Sequence, residues 1–261
     1  MADSVDTSPP SNAVTQAFLN AAVVSFGMAG PLLPVQTRIL KMQTGSAMHI
    51  NMRDPKLYTS IAGNFTARMT QMVPNYLARD TNNNGEASSP LYKAVYAAVA
   101  SSIPANICDS VATSLQSSSR TNLMETMRTQ GAGLIYRGIL ATLGREAIVC
   151  TATHSIRPNL QALTTTDNPI VQDGLIPVSV GFLAGVSSNF AELVRANIHN
   201  PDTTHTSVSS VIKELASRSN GSANKLVADL FKGSVYRGLY MAALFGLINA
   251  SEAAVKKYCE T

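Results

Sequence analysis

A recurring phrase divides the sequence into three units of about 85 residues, and this repeat constrains the fold more than any other feature. Residues 123–145 run from a short helical segment through a glycine-rich turn into a long apolar helix. A similar phrase at residues 230–233 precedes the apolar run 239–254, and a fainter one lies at residues 57–60. Each unit has the pattern long helix, short helix, long helix. We therefore predict repeats over residues 13–88, 89–172 and 173–261.

The composition fits helices that each have an apolar and a polar side. Hydrophobic residues make up 45% of the chain and charged residues only 14%, against about 25% charged residues in an ordinary soluble domain. No stretch is the uninterrupted apolar run of about 20 residues that a single membrane anchor needs. Two architectures explain these facts: helices that face lipid outside and a polar interior inside, or a soluble all-α core rich in alanine. Apolar runs alone do not separate the two.

Charge and cysteine content argue against several functional classes. The 20 basic residues exceed the 16 acidic ones only slightly and are scattered, so we expect no nucleic-acid partner. Three widely spaced cysteines without a CxxC pair predict neither a disulfide framework nor a zinc site. No nucleophile, general base and orienting residue come together, so we expect no enzyme, no metal and no cofactor. Residues 1–12 are polar and predict a disordered tail before a single domain, residues 13–261.

Proline, glycine and polar segments mark breaks and contacts. Pro31 and Pro34 interrupt the first helical run, and a kink is expected there because each proline removes a backbone donor. Residues 157–174, rich in Thr, Asp, Asn and Pro, predict a loop that closes the second unit. Gly181 and Gly185 are one turn apart, and such spacing of small residues predicts close packing of two helices.

Short motifs stand at corresponding places in the three units. They are Pro34-Val35-Gln36 with Lys41 and Gln43; Gly131, Tyr136-Arg137-Gly138 and Arg145; and Ala184-Gly185, Glu192-Leu193-Val194-Arg195 and Phe231-Lys232-Gly233. In order and spacing they resemble the mitochondrial carrier family over nearly the whole chain. The resemblance implies an all-α, multi-pass protein of the mitochondrial inner membrane, with six tilted transmembrane helices and both termini in the intermembrane space. It also implies membrane lipids, cardiolipin among them, as partners.

The charged positions that close the cavity of active carriers are altered. In that family each odd-numbered helix carries Pro-x-acid-x-x-base, and the acid of one repeat pairs with the base of the next. The remnants here are Pro34, Gln36 and Ile39; Pro104, Asn106 and Asp109; and Phe190, Glu192 and Arg195. Following the family's pairing, no opposite-charge pair survives, although the neighbouring Arg38 is a candidate partner for Glu192.

A second motif of the family, aromatic-acid-x-x-base on the even-numbered helices, is also degenerate. Residues 76–79 lack the acid, residues 154–157 show no such motif, and Glu252 and Lys256 are out of register by one. A transporter alternates between two states, so each gate has to form and break reversibly. The sequence offers no evident device for this alternation, which favours a protein that has lost transport.

Three positions nevertheless form a candidate substrate site. Arg68, Arg145 and Tyr240 stand at or near the places where the even-numbered helices of the family contact substrate. An arginine inside a membrane normally faces a cavity or a partner, so this set would suit a phosphate or a carboxylate. The alternative is that Arg145 is structural and pairs locally, for example with Glu146.

Two functions remain, and we expect the first. The chain is either a transport-deficient accessory subunit of a larger inner-membrane complex, such as a respiratory-chain complex, or a divergent carrier of a small anionic metabolite or nucleotide. The accessory subunit would have its polar segments ordered by contacts with other subunits. The carrier would keep a water-filled central cavity. The sequence leaves open whether that cavity is open or filled by side chains.

Overall fold

The computed structural model describes residues 11–45, 61–80, 89–117, 128, 133–166, 168–200 and 205–259. Within these ranges the regular secondary structure is helical and contains no strand, which confirms the all-α class. The helices are α1 Ser11–Ala29, α2 Leu33–Thr44, α3 Ile61–Asp80, α4 Pro90–Ser117, α5 Gly133–Tyr136, α6 Ile139–Thr151, α7 Arg157–Leu163, α8 Ile176–His199, α9 Val208–Arg218, α10 Ala223–Leu230 and α11 Ser234–Cys259. Two π-helical segments, Ala152–Ile156 and Ile170–Leu175, join α6 to α7 and lead into α8.

Six long helices close a ring in chain order. Helix α1 packs on α3, α3 on α4, α4 on α6, α6 on α8, and α8 on α11, which returns to α1. An apolar core joins α1, α3, α8 and α11, and it contains side chains such as Val24, Tyr76 and Phe245. Helices α9 and α10 follow α8 outside the ring, where Val211 of α9 packs against Val194 and Ile198. Each long helix therefore packs against the long helices that precede and follow it in the ring.

The predicted kink in the first helical run is present. The axis turns by 59° between residues 14–29 and 33–44. Pro34 lies in the first turn of α2, where a missing backbone donor costs no helical hydrogen bond. Beyond the bend, α2 contacts α4, α8 and α11. Since these helices lie on different sides of the ring, α2 crosses one of its ends and covers the interior there.

The predicted loop over residues 157–174 is wrong, because most of it is helical. Helix α7 and the second π-helical segment occupy most of this stretch. The side-chain amide of Gln161 donates to the carbonyl of Gln172 at 2.8 Å, and Gln172 donates in return to the carbonyls of Gln161, Thr164 and Thr166. Gln172 thus satisfies carbonyl groups at and just beyond the end of α7, and Gln161 returns a bond to Gln172, so side chains connect two helical segments where the composition had predicted a loop.

The ends of two other predicted segments shift or lie outside the described residues. Helix α1 begins at Ser11, so residues 11 and 12 of the predicted tail are helical. Residues 1–10 and the short phrase at 57–60 lie outside the described part of the chain, as does most of the segment before Gly133.

The close approach predicted for Gly181 and Gly185 is confirmed at the contact between α8 and α11. A Cβ atom added to Gly185 would lie 2.6 Å from the carbonyl oxygen of Arg237, and one added to Gly181 would lie 2.6 Å from that of Met241. Neither position has room for a methyl group. Small residues one turn apart therefore let these two backbones meet, as they do in membrane bundles.

Length and composition allow two of the described helices to cross a membrane, or three if the bent first pair counts as one span. They are Ile170–His199 and Ala223–Tyr258, with the pair Val14–Ala29 and Leu33–Thr44 as the third. The two sides of helix α4 differ in polarity. Its outer face exposes Val95, Val99 and Ile103, while polar residues such as Ser101 and Asn106 are buried inside. Apolar side chains outside and polar ones inside are the arrangement of a helical membrane protein.

Candidate functional site

A cluster of buried ionic side chains occupies the centre of the ring. Each of its members is at most 6% exposed. They are Arg68 on α3, Asp109 on α4, Arg145 and Glu146 on α6, Glu192 and Arg195 on α8, and Arg237 on α11. We call these seven residues the central cluster. Five helices supply its charges, whereas α2 faces it with the uncharged side chains of Gln36 and Ile39.

Asp109 joins three arginines from three helices. Its Oδ1 lies 2.8 Å from Nη2 of Arg68, and its Oδ2 lies 2.6 Å from Nη1 of Arg145. The same Oδ2 is 3.7 Å from Nη1 of Arg195. One carboxylate thus holds α3, α6 and α8 against α4.

Glu192 is the second hub of the central cluster. Its Oε1 lies 2.6 Å from Nη2 of Arg195 and 3.6 Å from Nη1 of Arg237, and its Oε2 lies 3.1 Å from Nη1 of Arg145. Glu146 pairs with Arg145 and accepts a hydrogen bond of 2.8 Å from the amide of Gln71. The local pairing of Arg145 with Glu146, expected as the structural alternative, is therefore present.

The central cluster carries one positive charge in excess, since four arginines meet three carboxylates. Buried charges are stable only when they are paired and hydrogen-bonded. The pairing is incomplete at one side, because Nε of Arg68, Nε of Arg237 and the hydroxyl of Tyr240 are buried without a hydrogen-bond partner among the described residues. Tyr240 follows Arg237 by one helical turn on α11. This side of the cluster is positive and has spare donors.

The three residues predicted to contact substrate are all buried; Tyr240 lines a void of about 340 Å³ between α2 and α11, whereas Arg68 and Arg145 line neither of the voids beside the central cluster. Arg68 and Arg145 both bind Asp109, and Tyr240 is buried beside them. The void next to Asp109 and Glu192 measures about 10 Å³. A second void beside Glu146 measures about 30 Å³, whereas small-molecule sites usually have about 300–1,000 Å³. Among the described residues, the voids beside the central cluster are therefore much smaller than a small-molecule site.

The gate motifs form opposite-charge contacts outside the family's pairing, under which none was expected. Asp109 of the second motif lies within ion-pair distance of Arg195 of the third, and Glu192 is held by Arg145 and Arg237. The additional arginines come from α6 and α11, the fourth and sixth long helices of the ring, which the family's pairing rule does not consider. Arg38 does not reach Glu192, because its guanidinium lies over the ring of Tyr236, 5.0 Å from the centroid.

The other motif remnants have structural contacts. Pro34 starts α2, and Pro104 lies inside α4. The amide of Asn106 donates to the carbonyl of Arg137 at 3.1 Å, and its oxygen accepts from the hydroxyl of Thr142 at 2.7 Å. Asn106 thus fastens the start of α6 to α4.

A histidine at the end of α8 completes this junction. Nε2 of His199 lies 2.7 Å from the carbonyl oxygen of Arg137 and 3.0 Å from the hydroxyl of Ser110. Because a carbonyl only accepts, Nε2 carries the hydrogen, and Nδ1 is left to accept from Arg195 at 3.4 Å. Gly138 permits this contact: it has φ +74°, and a Cβ atom there would lie 2.9 Å from Nε2. No motif in the sequence pointed to these partners of His199.

A separate ion pair lies where α7 meets α11, and sequence reasoning missed it as well. Nη2 of Arg157 is 3.4 Å from Oε2 of Glu252, and the same guanidinium donates to Asn249. Asn249 in turn donates to the carbonyl of Asp173 at 2.6 Å. A π-helical turn contains more residues than an α-helical turn, so Ala152–Ile156 changes the direction in which Arg157 points. Spacing along a regular helix could not have predicted this pair.

No protein-family model and no curated protein matches the sequence. Among the described residues, no group of three or more His, Cys, Asp or Glu side chains is placed to hold a metal ion. The resemblance to mitochondrial carriers therefore rests on the motifs alone and remains a prediction.

Proposed function

We propose that this chain is a six-span membrane protein with the three-repeat architecture of mitochondrial carriers, and that it serves as an accessory subunit of a larger inner-membrane complex. The motif order and the closed ring of six long helices support the architecture. The resemblance to carriers is the basis for the mitochondrial inner membrane, with lipids and other subunits as partners. The filled centre of the ring is the observation that favours a structural role over transport.

The ionic contacts of the centre oppose alternating access. Opening the ring would pull α4 away from α3, α6 and α8, and would separate Asp109 from its three arginines. Leaving one buried charge without its partner costs about 3–5 kcal/mol. A switch needs two states that differ by only a few kcal/mol. To open, this protein would have to break several such contacts without forming new ones. The open state would then lie too high in free energy to be populated, and a protein with one state suits a structural role.

The test is native electrophoresis of gently solubilised mitochondrial membranes, followed by mass spectrometry of this chain. The proposal expects stoichiometric comigration with a large inner-membrane complex. Its partner subunits would be identified from the same band. Migration of the chain alone, near its own mass plus detergent, would exclude the accessory role.

A divergent anion carrier is the second candidate, and one observation favours it. The excess positive charge and the spare donors of Arg68, Arg237 and Tyr240 lie together, and an anion would satisfy them. Purified protein in liposomes loaded with radiolabelled phosphate, dicarboxylate or nucleotide would test it. Exchange by the wild type that falls at least tenfold in Tyr240→Phe would support a carrier, because this change removes only the hydroxyl. Absence of exchange for all three anions would leave the structural role.

A further inference from the structure

Three exposed apolar side chains lie on α7 and the second π-helical segment, which are held together at one end of the ring. We call this pair of segments the hairpin. Leu163 ends α7 and is 77% exposed, and Ile170 begins the π-helical segment and is 70% exposed. Leu160 precedes Leu163 by one helical turn and is also exposed. These three side chains form an uncovered apolar surface, the hairpin patch.

The hairpin patch lies beyond the part of the ring that has the length of a membrane span. A layer of contacting polar residues separates the two, and its members are Arg157, Asp173, Asn249 and Glu252. From the first residue of α6 to Arg157, and from the first residue of α11 to Glu252, the helices rise by about 27 Å. The hydrocarbon core of a bilayer has a similar thickness, about 30 Å. The polar layer therefore marks one surface of the membrane, and the hairpin patch lies outside it.

Side-chain hydrogen bonds fix the shape of the hairpin. The amide of Gln172 donates to the carbonyls of Gln161, Thr164 and Thr166 at 3.1–3.2 Å, and Gln161 donates in return to the carbonyl of Gln172. A surface that is ordered in advance loses less conformational entropy on binding than a loop that has to become ordered. The hairpin patch is therefore preorganised for a partner.

Neither acyl chains nor the remainder of this chain can supply the cover for the hairpin patch. Acyl chains end at the polar layer. At this end of the ring, the segments outside the described ranges are residues 1–10, 81–88 and 260–261, and their only large apolar residues are Met1 and Val5. A cluster of exposed apolar side chains outside the membrane marks a surface for protein contact. The cover therefore comes from another chain.

The position and charge of the hairpin indicate the kind of partner. Residues 158–172 contain a single charged residue, Asp167, so the partner surface needs no strong charge of its own. A segment at this level has the hairpin and the membrane surface on one side and water on the other. An amphipathic helix matches these surroundings, because its apolar residues recur every three or four positions and form one stripe.

We propose that the hairpin patch binds an amphipathic helix of a partner subunit, which lies along the surface of the membrane. The apolar stripe of that helix would pack between Leu160, Leu163 and Ile170, as in other complexes in which a helix is held through apolar anchors. The inference rests on the proposed accessory role and specifies one place where the neighbouring subunit is held.

Photo-crosslinking in native membranes tests the identity of the partner. The full-length chain carries a photoreactive amino acid at position 163, the complex is isolated by native electrophoresis after irradiation, and the crosslinked peptide is identified by mass spectrometry. Position 183 is the control, because Leu183 is 63% exposed on α8 within the membrane-spanning part of the ring. Position 163 should reach one peptide of another subunit, with apolar residues at helical spacing, and position 183 should not reach that peptide.

Polar substitutions test the contribution of the patch to assembly. In the double variant Leu163→Gln with Ile170→Gln, the fraction of the chain that migrates with the complex should fall at least tenfold, since one buried leucine side chain contributes a factor of about ten or more. Ala162→Gln should behave like the wild type, because Ala162 is exposed on a different side of α7. The Tm of the purified double variant in detergent should stay unchanged, since both substituted side chains are exposed.

The outcomes separate this proposal from the accessory role. If the double variant comigrates with the complex as the wild type does, the proposal fails and the accessory role stands. If the wild type migrates alone, both fail. A lower Tm of the double variant would assign its loss of assembly to folding, and the crosslink then decides. A crosslink from position 163 to lipid, or to a second copy of this chain, would overturn the proposal.

Discussion

Replacing Asp109 by asparagine should destabilise the protein strongly, although the two side chains have nearly the same shape. The change removes the charge that holds Arg68, Arg145 and Arg195, and raises the excess of the central cluster from one positive charge to two. Arg145 and Arg195 keep Glu192 as a partner, whereas Arg68 is left with the amide oxygen of Gln71. Removal of one partner from a buried ion pair costs about 3–5 kcal/mol.

This destabilisation can be measured by thermal unfolding of the purified protein in one fixed detergent. A loss of 3–5 kcal/mol corresponds to a fall in Tm of about 6–20 °C for a chain of this size. Asp173→Asn is the matched control, because Asp173 is exposed and its contact with Asn249 uses the backbone carbonyl. The double variant Asp109→Asn with Arg68→Gln should recover part of the loss, since it restores the original excess of charge. If Asp109→Asn lowers Tm no more than Asp173→Asn, the central cluster does not hold the ring together.

Two further predictions concern helix contacts. Gly185→Ala should lower the free energy of unfolding by about 1–3 kcal/mol, because its methyl group would overlap the backbone of α11. Gly144→Ala, whose Cβ would meet only ordinary contacts, should be neutral or stabilise the protein by up to about 1 kcal/mol; equal losses in the two variants would contradict the packing argument. A double-mutant cycle of Arg157→Gln and Glu252→Gln should give a coupling of about 0.5–1 kcal/mol, since Glu252 is partly exposed. A coupling of zero would show that this pair does not join α7 to α11.

The sequence predicted the helices well where local signals agree. The ends of α9, Val208 and Arg218, follow from local signals, because Ser207 caps its first turn and apolar residues recur at helical spacing. The kink at the first prolines was also predictable, since proline acts on its own helix. Residues 157–174 were predicted wrongly because two side chains, Gln161 and Gln172, replace the hydrogen bonds that a polar composition otherwise assigns to water.

The central cluster could be predicted only in part. Six of its seven residues were recognised, but their pairing depends on which side chains the ring brings together across many residues of sequence. Asp109 and Arg195 belong to motifs that the family pairs differently. Arg237 belongs to none of the motifs, and its contact with Glu192 arises only because α11 packs beside α8. The pair of Arg157 with Glu252 depends on a π-helical turn, which has no clear sequence signal.

The distribution of charge among the helices bears on how the chain enters a lipid bilayer. A single charged residue at the middle of an inserting helix costs about 2.5–3.5 kcal/mol. Glu146 lies next to Arg145, and Arg195 lies one turn after Glu192, so α6 and α8 each carry their own counterion. Asp109 finds its counterion on the preceding α3, and Arg237 of α11 finds its own on the preceding α8. Within the central cluster, Arg68 is therefore the charge whose partner lies on a later helix, and every other charge has a partner on its own helix or on an earlier one.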